Sequence, residues 1–143
     1  MCLHQDAGCL GTAVPDRAYE RRLLILKEFG TNAIRCSHNP PSPEFLNYCD
    51  SIGFLVIDEA FDKWKSGYYE EFFDSSWQQD ISDMVIRDRN HPSVILWSIG
   101  NELAEAKLKD DTGIERAGML QDFVHQLDPS RLVMLALQPG FEV

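Results

Sequence analysis

Short apolar runs alternate with longer amphipathic stretches along this chain, and this alternation narrows the choice of fold more than any other feature. The runs have the length of strands and contain few polar residues, so neither face of such a strand is suited to water. Strands of this kind lie in parallel sheets that helices cover. We predict strands at Asn32–Cys36, Phe54–Asp58, Ser93–Ser98 and Arg131–Leu137.

Helix end signals flank the amphipathic stretches. Ser42 and Pro43 are a typical N-cap and first turn of a helix that Gly53 ends. Thr112 and Glu115 match the Thr-x-x-Glu capping box of a later helix. We predict helices over Asp16–Phe29, Ser42–Gly53, Ser76–Arg89 and Thr112–Leu127. Strands and helices in this alternation predict either an open doubly wound sheet or a β/α barrel.

The residues that follow the strands favour the barrel. A doubly wound sheet typically carries a Gly-rich phosphate loop after an early strand, and the sequence has no such loop. Polar residues follow each strand instead, and the active sites of β/α barrels lie at the carboxyl ends of the strands. These residues are His4 and Asp6, Arg35 and His38, Asp58 and Glu59, and Asn101 and Glu102. We therefore predict an α/β fold of the barrel type.

Composition and charge exclude several classes of protein. The chain has 143 residues, which suits one domain with a real core, and 44% of them are hydrophobic. A net charge of −10 argues against a nucleic-acid partner, because phosphate binding needs clustered Lys and Arg. No apolar run approaches the length of a membrane span, so we expect no membrane partner. The first residues lack the features of a signal peptide, and the compartment, cytoplasmic or periplasmic, stays open.

The four cysteines give no sign of a disulfide framework or a metal site. Cys2, Cys9, Cys36 and Cys49 have no Cys-x-x-Cys spacing, and they lie in or beside apolar segments. Free thiols in such segments behave as small hydrophobic side chains. We therefore predict four buried free thiols.

Three motifs resemble one known family. They are "RCSHNPP" (35–41), "LVIDEAF" (55–61) and "RDRNHPSVILWSIGNE" (87–102). Their order and spacing resemble the catalytic barrel of glycoside hydrolase family 2, and in particular that of its β-galactosidases. The resemblance implies a TIM (β/α)8 barrel that β-sandwich domains usually precede. Residues 1–143 would then form a partial barrel of about strands 1–5, without the sandwich domains and the C-terminal half of the barrel.

The resemblance also implies catalytic roles. A retaining glycosidase uses two carboxyl groups about 5–5.5 Å apart, one a nucleophile and one an acid that protonates the leaving oxygen. Glu102 matches the acid/base, and Arg35 matches an arginine that keeps the nucleophile ionised. The matching nucleophilic Glu comes from a later strand, and Glu142 does not fit its motif, so we expect the nucleophile to be missing from this chain. A solvated glutamate and a structural ion pair are the respective alternatives.

Four residues at the strand ends are expected to bind the sugar. Asn101 matches a residue that bonds the hydroxyl next to the reacting carbon, with a plain turn asparagine as the alternative. His38 and His4 match residues that bind sugar hydroxyls, although a lone histidine is often structural. Glu59 and Asp58 match a pair that mainly maintains the polar network of the pocket, and a direct contact between Glu59 and the substrate is equally open.

Tryptophans and one further histidine complete the candidates. Trp64 lies in the predicted loop "FDKWKSGYY", where its ring could serve as a platform for a sugar. Trp77 and Trp97 occupy core-like positions, so we expect them to pack. His91 precedes the strand Ser93–Ser98 and would lie at the opposite end of the barrel, where we expect a structural turn residue.

No cofactor or metal is predicted. Some β-galactosidases of the family bind Mg²⁺ through a Glu and a His shortly after their "DEA" stretch. Lys63 and Lys65 occupy those positions in this sequence. An ammonium group cannot coordinate a cation, so the family's magnesium site is not matched.

Together these patterns predict a fragment of a retaining β-glycosidase that hydrolyses terminal β-D-galactosides, with a carbohydrate as its partner. A fragment of a β-glucuronidase or β-mannosidase is the alternative with another substrate. A non-catalytic carbohydrate-binding or structural module is the alternative of another class. Because five strands leave two open sheet edges, we also expect homo-oligomers through the exposed barrel edges. The isolated chain is expected to be inactive.

Overall fold

The computed structural model describes residues 1–103 and 111–137. Within these residues five parallel strands alternate with four α-helices, and the strands lie side by side in chain order. The strands are β1 (Cys2–Leu3), β2 (Ala33–Cys36), β3 (Leu55–Glu59), β4 (Val94–Ser98) and β5 (Leu132–Met134). The helices are α1 (Asp16–Glu28), α2 (Pro43–Ile52), α3 (Glu70–Asp88) and α4 (Asp111–Leu127). The predicted alternation is therefore confirmed.

The ends of α2 form as the sequence predicts. Ser42 is the N-cap, and its Oγ accepts a hydrogen bond of 3.2 Å from the backbone N–H of Phe45. Gly53 ends the helix with a φ of 82°, a left-handed conformation that glycine adopts without a side-chain clash. After Gly53 the chain continues directly into β3.

Three element boundaries differ from the prediction. Helix α3 begins at Glu70 rather than Ser76, because buried Phe73 stacks on Trp77 and extends the apolar side of the helix towards its start. Helix α4 begins at Asp111, so the predicted N-cap Thr112 lies inside it. Strand β5 is shorter than the predicted run, because pairing with β4 ends at Met134.

The two faces of the sheet have different surroundings. Side chains alternate in direction along each strand. Ile34, Val56 and Trp97 are at most 1% exposed and form the core with the helices. On other strand positions Leu55 is 45% exposed and Leu132 is 73% exposed. The described helices therefore cover one face and leave apolar side chains of the other uncovered, and β1 and β5 each pair on one side only within the described residues.

The cysteine prediction is correct for two residues and wrong for two. All four thiols are free, and Cys36 and Cys49 are buried. Cys2 and Cys9 are exposed, because one lies on the edge strand β1 and the other in the short 3₁₀ helix Gly8–Leu10. A search of the described helices finds none long and apolar enough to cross a membrane.

Candidate active site

The carboxyl ends of β2, β3 and β4 bring polar side chains together. Neighbouring strands of a parallel sheet place equivalent positions side by side. Glu59, the last residue of β3, pairs in register with Ser98, the last residue of β4. Arg35 is paired with Ile57, two positions before Glu59 on the same face of β3. Three strands thus contribute to one polar cluster at one end of the sheet.

Glu59 is the centre of this cluster. Its side chain is fully buried and accepts three hydrogen bonds: 2.8 Å from Arg35 Nε, 2.7 Å from His38 Nδ1 and 2.5 Å from Ser98 Oγ. The Nδ1 of His38 must carry the proton, because its partner is a carboxylate that can only accept. A buried charge needs such partners to offset its desolvation. The three donors hold both carboxylate oxygens, which makes Glu59 a fixed anchor for the surrounding side chains.

Asn101 extends the cluster beyond β4. Its Oδ1 accepts a hydrogen bond of 2.9 Å from Arg35 Nη2, and its Nδ2 donates one of 2.9 Å to Asp62 Oδ1. The backbone N–H of Asn101 also donates to the carbonyl of Asp62 at 2.6 Å. These bonds fix the orientation of the amide. An amide oxygen accepts two bonds and an amide nitrogen donates two, so with respect to the described side chains Asn101 retains one of each.

Asp62 carries a negative charge beside Asn101. Partial burial alone would raise the pKa of this carboxyl group, but hydrogen bonds from Asn101 and Lys63 lower the pKa below its ordinary value. Asp62 therefore links the amide of Asn101 to the ammonium group of Lys63, which lies 2.9 Å from Asp62 Oδ1.

Glu102 follows Asn101 in an unusual backbone conformation. Its φ of 47° lies in the left-handed region, which is uncommon for a residue with a side chain. The turn directs its carboxylate towards Lys63, with 3.5 Å between Glu102 Oε2 and Lys63 Nζ, and leaves the side chain 54% exposed. Gly100 makes the close approach before the turn possible. A Cβ atom there would lie 2.9 Å from Leu103 and 3.0 Å from Trp64.

Two histidines lie together at the edge of the cluster. The ring of His4, in the segment after β1, packs edge-on against the ring of His38 with 5.4 Å between centroids. The guanidinium group of Arg22 holds the segment by donating to the backbone carbonyls of His4 and Asp6, both at 3.1 Å. The predicted residues His4, His38, Arg35 and Glu59, with the Asn101–Glu102 pair, therefore lie along one end of the sheet.

A family assignment follows from the sequence of this barrel segment. The family description "Glycosyl hydrolases family 2, TIM barrel domain" matches residues 2–138. The chain belongs to glycosyl hydrolases family 2. Its five strands and their helices are thus part of a family 2 TIM barrel, and the predicted fold class is confirmed.

Individual relatives agree with this assignment. A β-galactosidase of Bacteroides ovatus is 52% identical over 132 residues, which are 87% of this chain and 16% of that protein. The crystal structure of a family 2 member from Bacteroides cellulosilyticus has a TM-score of 0.91 at 47% identity, covering 97% of this chain and 18% of the other. A β-glucuronidase of Parabacteroides merdae has a TM-score of 0.78 at 27% identity, covering 94% and 17%. The chain spans less than a fifth of each relative.

Trp64 does not offer a sugar platform in this family 2 barrel, and that prediction is wrong. The side chain is fully buried, and its Nε1 donates a hydrogen bond of 2.6 Å to the carbonyl of Ile99. The ring packs near Phe73, and the Arg116 guanidinium lies 5.9 Å from its centroid. The prediction was wrong because the sequence shows only that Trp64 lies in a loop after a strand. In the structure that loop packs against the segment that carries Asn101, and the ring is buried.

Asp58 lies outside the polar cluster, although it precedes Glu59. The two side chains point to opposite faces of β3, and Asp58 faces Asp88 among the helices. Burial, and then the negative charge of Asp88, raise the pKa of Asp58 well above its ordinary value. Neither carboxyl oxygen of Asp58 meets a hydrogen-bond donor among the described residues. The expectation that Asp58 and Glu59 act as a pair is therefore wrong, because only Glu59 belongs to the pocket network.

The remaining side chains agree with structural roles. Trp97 is fully buried, and Trp77 packs at the margin of the core. His91 lies before β4, at the other end of the strand from Asn101, and its Nδ1 is 2.6 Å from Asp50 Oδ2. These positions support the expected packing and turn roles.

The residues at the family's magnesium positions do not fit a metal. Lys63 Nζ bonds Asp62 and faces Glu102, so a cationic side chain occupies the space between the two carboxylates. Lys65 forms an ion pair with Asp74 of α3. Within residues 1–103 and 111–137 no group of three or more His, Cys, Asp or Glu side chains is arranged to hold a metal ion. We derive no step of the chemistry through magnesium.

Sequence reasoning missed two members of the cluster. The sequence pattern predicts Ser98 only as the end of a strand. Its register opposite Glu59 places its hydroxyl beside a buried carboxylate. Asp62 was overlooked because it lies outside the strand ends. Its signal was available in the spacing after "DEA", where an acidic residue precedes Lys63.

Proposed function

We propose that this chain is the N-terminal part of the catalytic barrel of a retaining β-glycosidase that hydrolyses terminal β-D-galactosides. The identity of 52% with the Bacteroides ovatus β-galactosidase supports the sugar. The observation that carries the catalytic part is the position of Glu102. It lies next to Asn101, whose amide is fixed by Arg35 and Asp62 at the end of the barrel strands.

Glu102 is the proton donor in the first step. A second carboxylate, from polypeptide beyond the described residues, attacks the reacting carbon of the sugar and forms a glycosyl–enzyme bond. As the bond to the leaving group breaks, Glu102 transfers its proton to the departing oxygen. The left-handed turn at Glu102 places this carboxyl group at the mouth of the site rather than in the core.

Glu102 is the base in the second step. Now ionised, it takes a proton from a water molecule as the water oxygen bonds to the reacting carbon, and the bond between that carbon and the second carboxylate breaks. The sugar is released with its original configuration, and both carboxyl groups return to their starting states. The same residue can serve both steps because the first one leaves it ionised.

The polar cluster prepares the site for the sugar. Asn101 bonds the hydroxyl beside the reacting carbon with its remaining donor and acceptor. Arg35 donates hydrogen bonds to Glu59 and Asn101, and its positive charge keeps the nucleophile ionised. His38 and His4 bind further hydroxyl groups, and Glu59 orients Arg35 and His38 without reacting itself.

A β-glucuronidase is the second candidate, and the similarity to the Parabacteroides merdae enzyme favours it. A glucuronide carries a carboxylate that a galactoside lacks, so this activity requires a cation at the far end of the sugar. The full-length polypeptide should be assayed with p-nitrophenyl β-galactoside and p-nitrophenyl β-glucuronide. We expect kcat/KM to favour the galactoside by at least about 100-fold, and preference for the glucuronide would replace our substrate.

The role of Glu102 is tested by the leaving group. Glu102→Gln should lower kcat/KM for a phenyl galactoside by about 100-fold or more, because a phenolate leaves poorly without a proton. The same variant should form the glycosyl enzyme normally with a dinitrophenyl galactoside, and azide should restore its turnover because azide needs no base. Equal losses on both substrates, without azide rescue, would contradict the assignment.

The isolated chain separates the enzyme from a non-catalytic module. We expect residues 1–143 alone to hydrolyse no more than traces of a dinitrophenyl galactoside, since the nucleophile is absent. Robust turnover that Glu102→Gln abolishes would show that the chain carries its own nucleophile. If the full-length polypeptide is also inactive yet binds galactose in a calorimetric titration, the carbohydrate-binding module is the better account.

The isolated chain is also expected to self-associate. The exposed apolar side chains Leu55 and Leu132, together with the edge strands β1 and β5, would be covered by another copy. Light scattering at several concentrations should show oligomers whose mass rises with concentration. A monomer at every concentration would rule this out.

A further inference from the structure

Lys63 lies between two carboxylates at the candidate site. Its Nζ donates to Asp62 Oδ1 at 2.9 Å and lies 3.5 Å from Glu102 Oε2. The Lys63 side chain is 28% exposed. Partial burial alone would lower the pKa of Lys63, but the bonds to Asp62, and then Glu102, raise it above its ordinary value. The ammonium group is therefore charged at neutral pH.

Asp62 holds this cation in place. It accepts hydrogen bonds from both Lys63 and Asn101, and its own charge is stabilised by these donors. A long lysine side chain has many conformations, and an ion pair with a fixed carboxylate selects among them. The backbone carbonyl of Asp62 also accepts from the backbone N–H of Asn101, and this bond joins the loop of Lys63 to the Asn101–Glu102 segment.

We propose that Lys63 is a positioning residue for Glu102: its ammonium group orients the Glu102 carboxylate. The inference rests on the proposed role of Glu102 as acid/base. In the second step this carboxylate must be aimed at a water molecule, so Lys63 promotes that step.

Other charged groups near this pair are fixed by their own partners. Asp62 faces Lys63 from the same loop, and His38 acts on Asp62 electrostatically. Arg35 from β2 and Glu59 from β3 neutralise each other and reach the pair through Asn101. Among the described residues only Lys63 forms an ion pair with Glu102.

Lys65 provides a matched control. It lies two residues later in the same loop, carries the same charge, and pairs with Asp74 of α3 rather than with Glu102. Lys65→Met removes one positive charge from the loop and preserves the contact of Lys63 with Glu102. Lys63→Met removes the contact itself, and Lys63→Arg keeps a cation at the position.

The experiment compares kcat of the full-length enzyme with a dinitrophenyl galactoside, whose leaving group needs no acid, so that the second step limits turnover. Lys63→Met should lower kcat by about two- to fivefold, the size expected for a partly exposed ion pair. Lys63→Arg should keep kcat near that of the wild type, and Lys65→Met should not change it. In the Glu102→Gln background, Lys63→Met should have no further effect on kcat.

Several results would overturn the proposal. Equal kcat values for Lys63→Met and Lys65→Met would show that Lys63 does not act on Glu102. A loss of kcat that persists in the Glu102→Gln background would assign the effect to another group. If circular dichroism shows that both Lys63→Met and Lys63→Gln are unfolded while Lys63→Arg is folded, the role of Lys63 is to hold the loop. Failure of the leaving-group signature of Glu102→Gln would instead remove the proposed function, so the two failures are distinguishable.

Discussion

Two neighbouring pairs of residues on β3 and β4 show how one sheet separates structure from chemistry. Glu59 and Ser98 pair in register and bond each other on the pocket side. Asp58 and Trp97, one position earlier on each strand, also pair in register, but they face the helices. All four side chains are fully buried, so burial alone does not distinguish them.

The partners of the two acids explain the difference. Glu59 accepts bonds from Arg35, His38 and Ser98, and Arg35 among these donors is a cation. Asp58 faces another carboxyl group, and burial raises its pKa, so the neutral form is favoured. Adjacent carboxyl groups in one strand thus have opposite electrostatic roles, because the alternation of the strand sends them into different surroundings.

The largest effect is expected on the pocket side. Glu59→Ala in the full-length enzyme leaves Arg35 and His38 without their shared partner, and breaking a buried ion pair costs about 3–5 kcal/mol. We expect a lower melting temperature and a loss of kcat/KM of at least about 100-fold. Glu59→Gln should lose less stability, since its amide oxygen can still accept. Normal kcat/KM in a folded Glu59→Ala enzyme would show that the cluster is not part of the active site.

A smaller effect is expected from a substitution of Trp97, which lies on the face of the sheet that the helices cover. Its Nε1 donates a hydrogen bond of 2.9 Å to Asp128 Oδ2. Trp97→Phe removes this bond and leaves unfilled volume, which should cost about 2–3 kcal/mol. Thermal denaturation of the full-length enzyme should show the loss, while kcat/KM in the folded enzyme stays near the wild-type value. A selective loss of kcat with unchanged stability would contradict the view that pocket-facing side chains serve the chemistry and helix-facing side chains serve stability.

Asp58→Asn should raise the stability of the protein rather than lower it. In the wild type the neutral Asp58 contributes stability that is fully present below roughly pH 4, the ordinary pKa of an unfolded aspartate. This contribution is lost as pH rises through the elevated folded pKa. An asparagine does not titrate, and its amide can donate to Asp88. We expect the variant to be more stable than the wild type at pH 8, with the difference shrinking towards pH 5. A difference that does not vary with pH would contradict the raised pKa.

The smallest effect is expected for Ser98→Ala. The variant removes one of three hydrogen bonds to Glu59, which should cost about 1 kcal/mol. Because Arg35 and His38 still hold the carboxylate, kcat/KM should fall by less than about tenfold. The measurement is again paired melting and kinetics, and a loss as large as that of Glu59→Ala would mean that the serine has a direct catalytic role.

The sequence predicted the fold well because its signals are local. The capping residues Ser42 and Gly53 determine α2 by short-range bonds, and the apolar runs form the strands β2 to β5. The start of α3 was missed because the turn that contains Phe73 is stabilised by its packing on Trp77, a tertiary contact that no capping signal marks.

The site was predicted less completely, because its bonds depend on which face each residue takes. Arg35, His38, His4, Glu59, Asn101 and Glu102 were identified by motif and lie at one end of the sheet. Trp64 and Asp58 were misassigned because both sit near strand ends but point into the core. Ser98 and Asp62 emerge only when the strand register and the return of the loop are known.

The central claim is that Glu102 acts with a nucleophile from elsewhere in the barrel. The most direct measurement uses a galactosyl fluoride that carries a second fluorine beside the reacting carbon, which slows hydrolysis of the glycosyl enzyme. Mass spectrometry of peptides from the labelled full-length enzyme then locates the nucleophile. We predict that the label lies on a glutamate outside residues 1–143. A label on Glu59 or Glu102 would contradict the account.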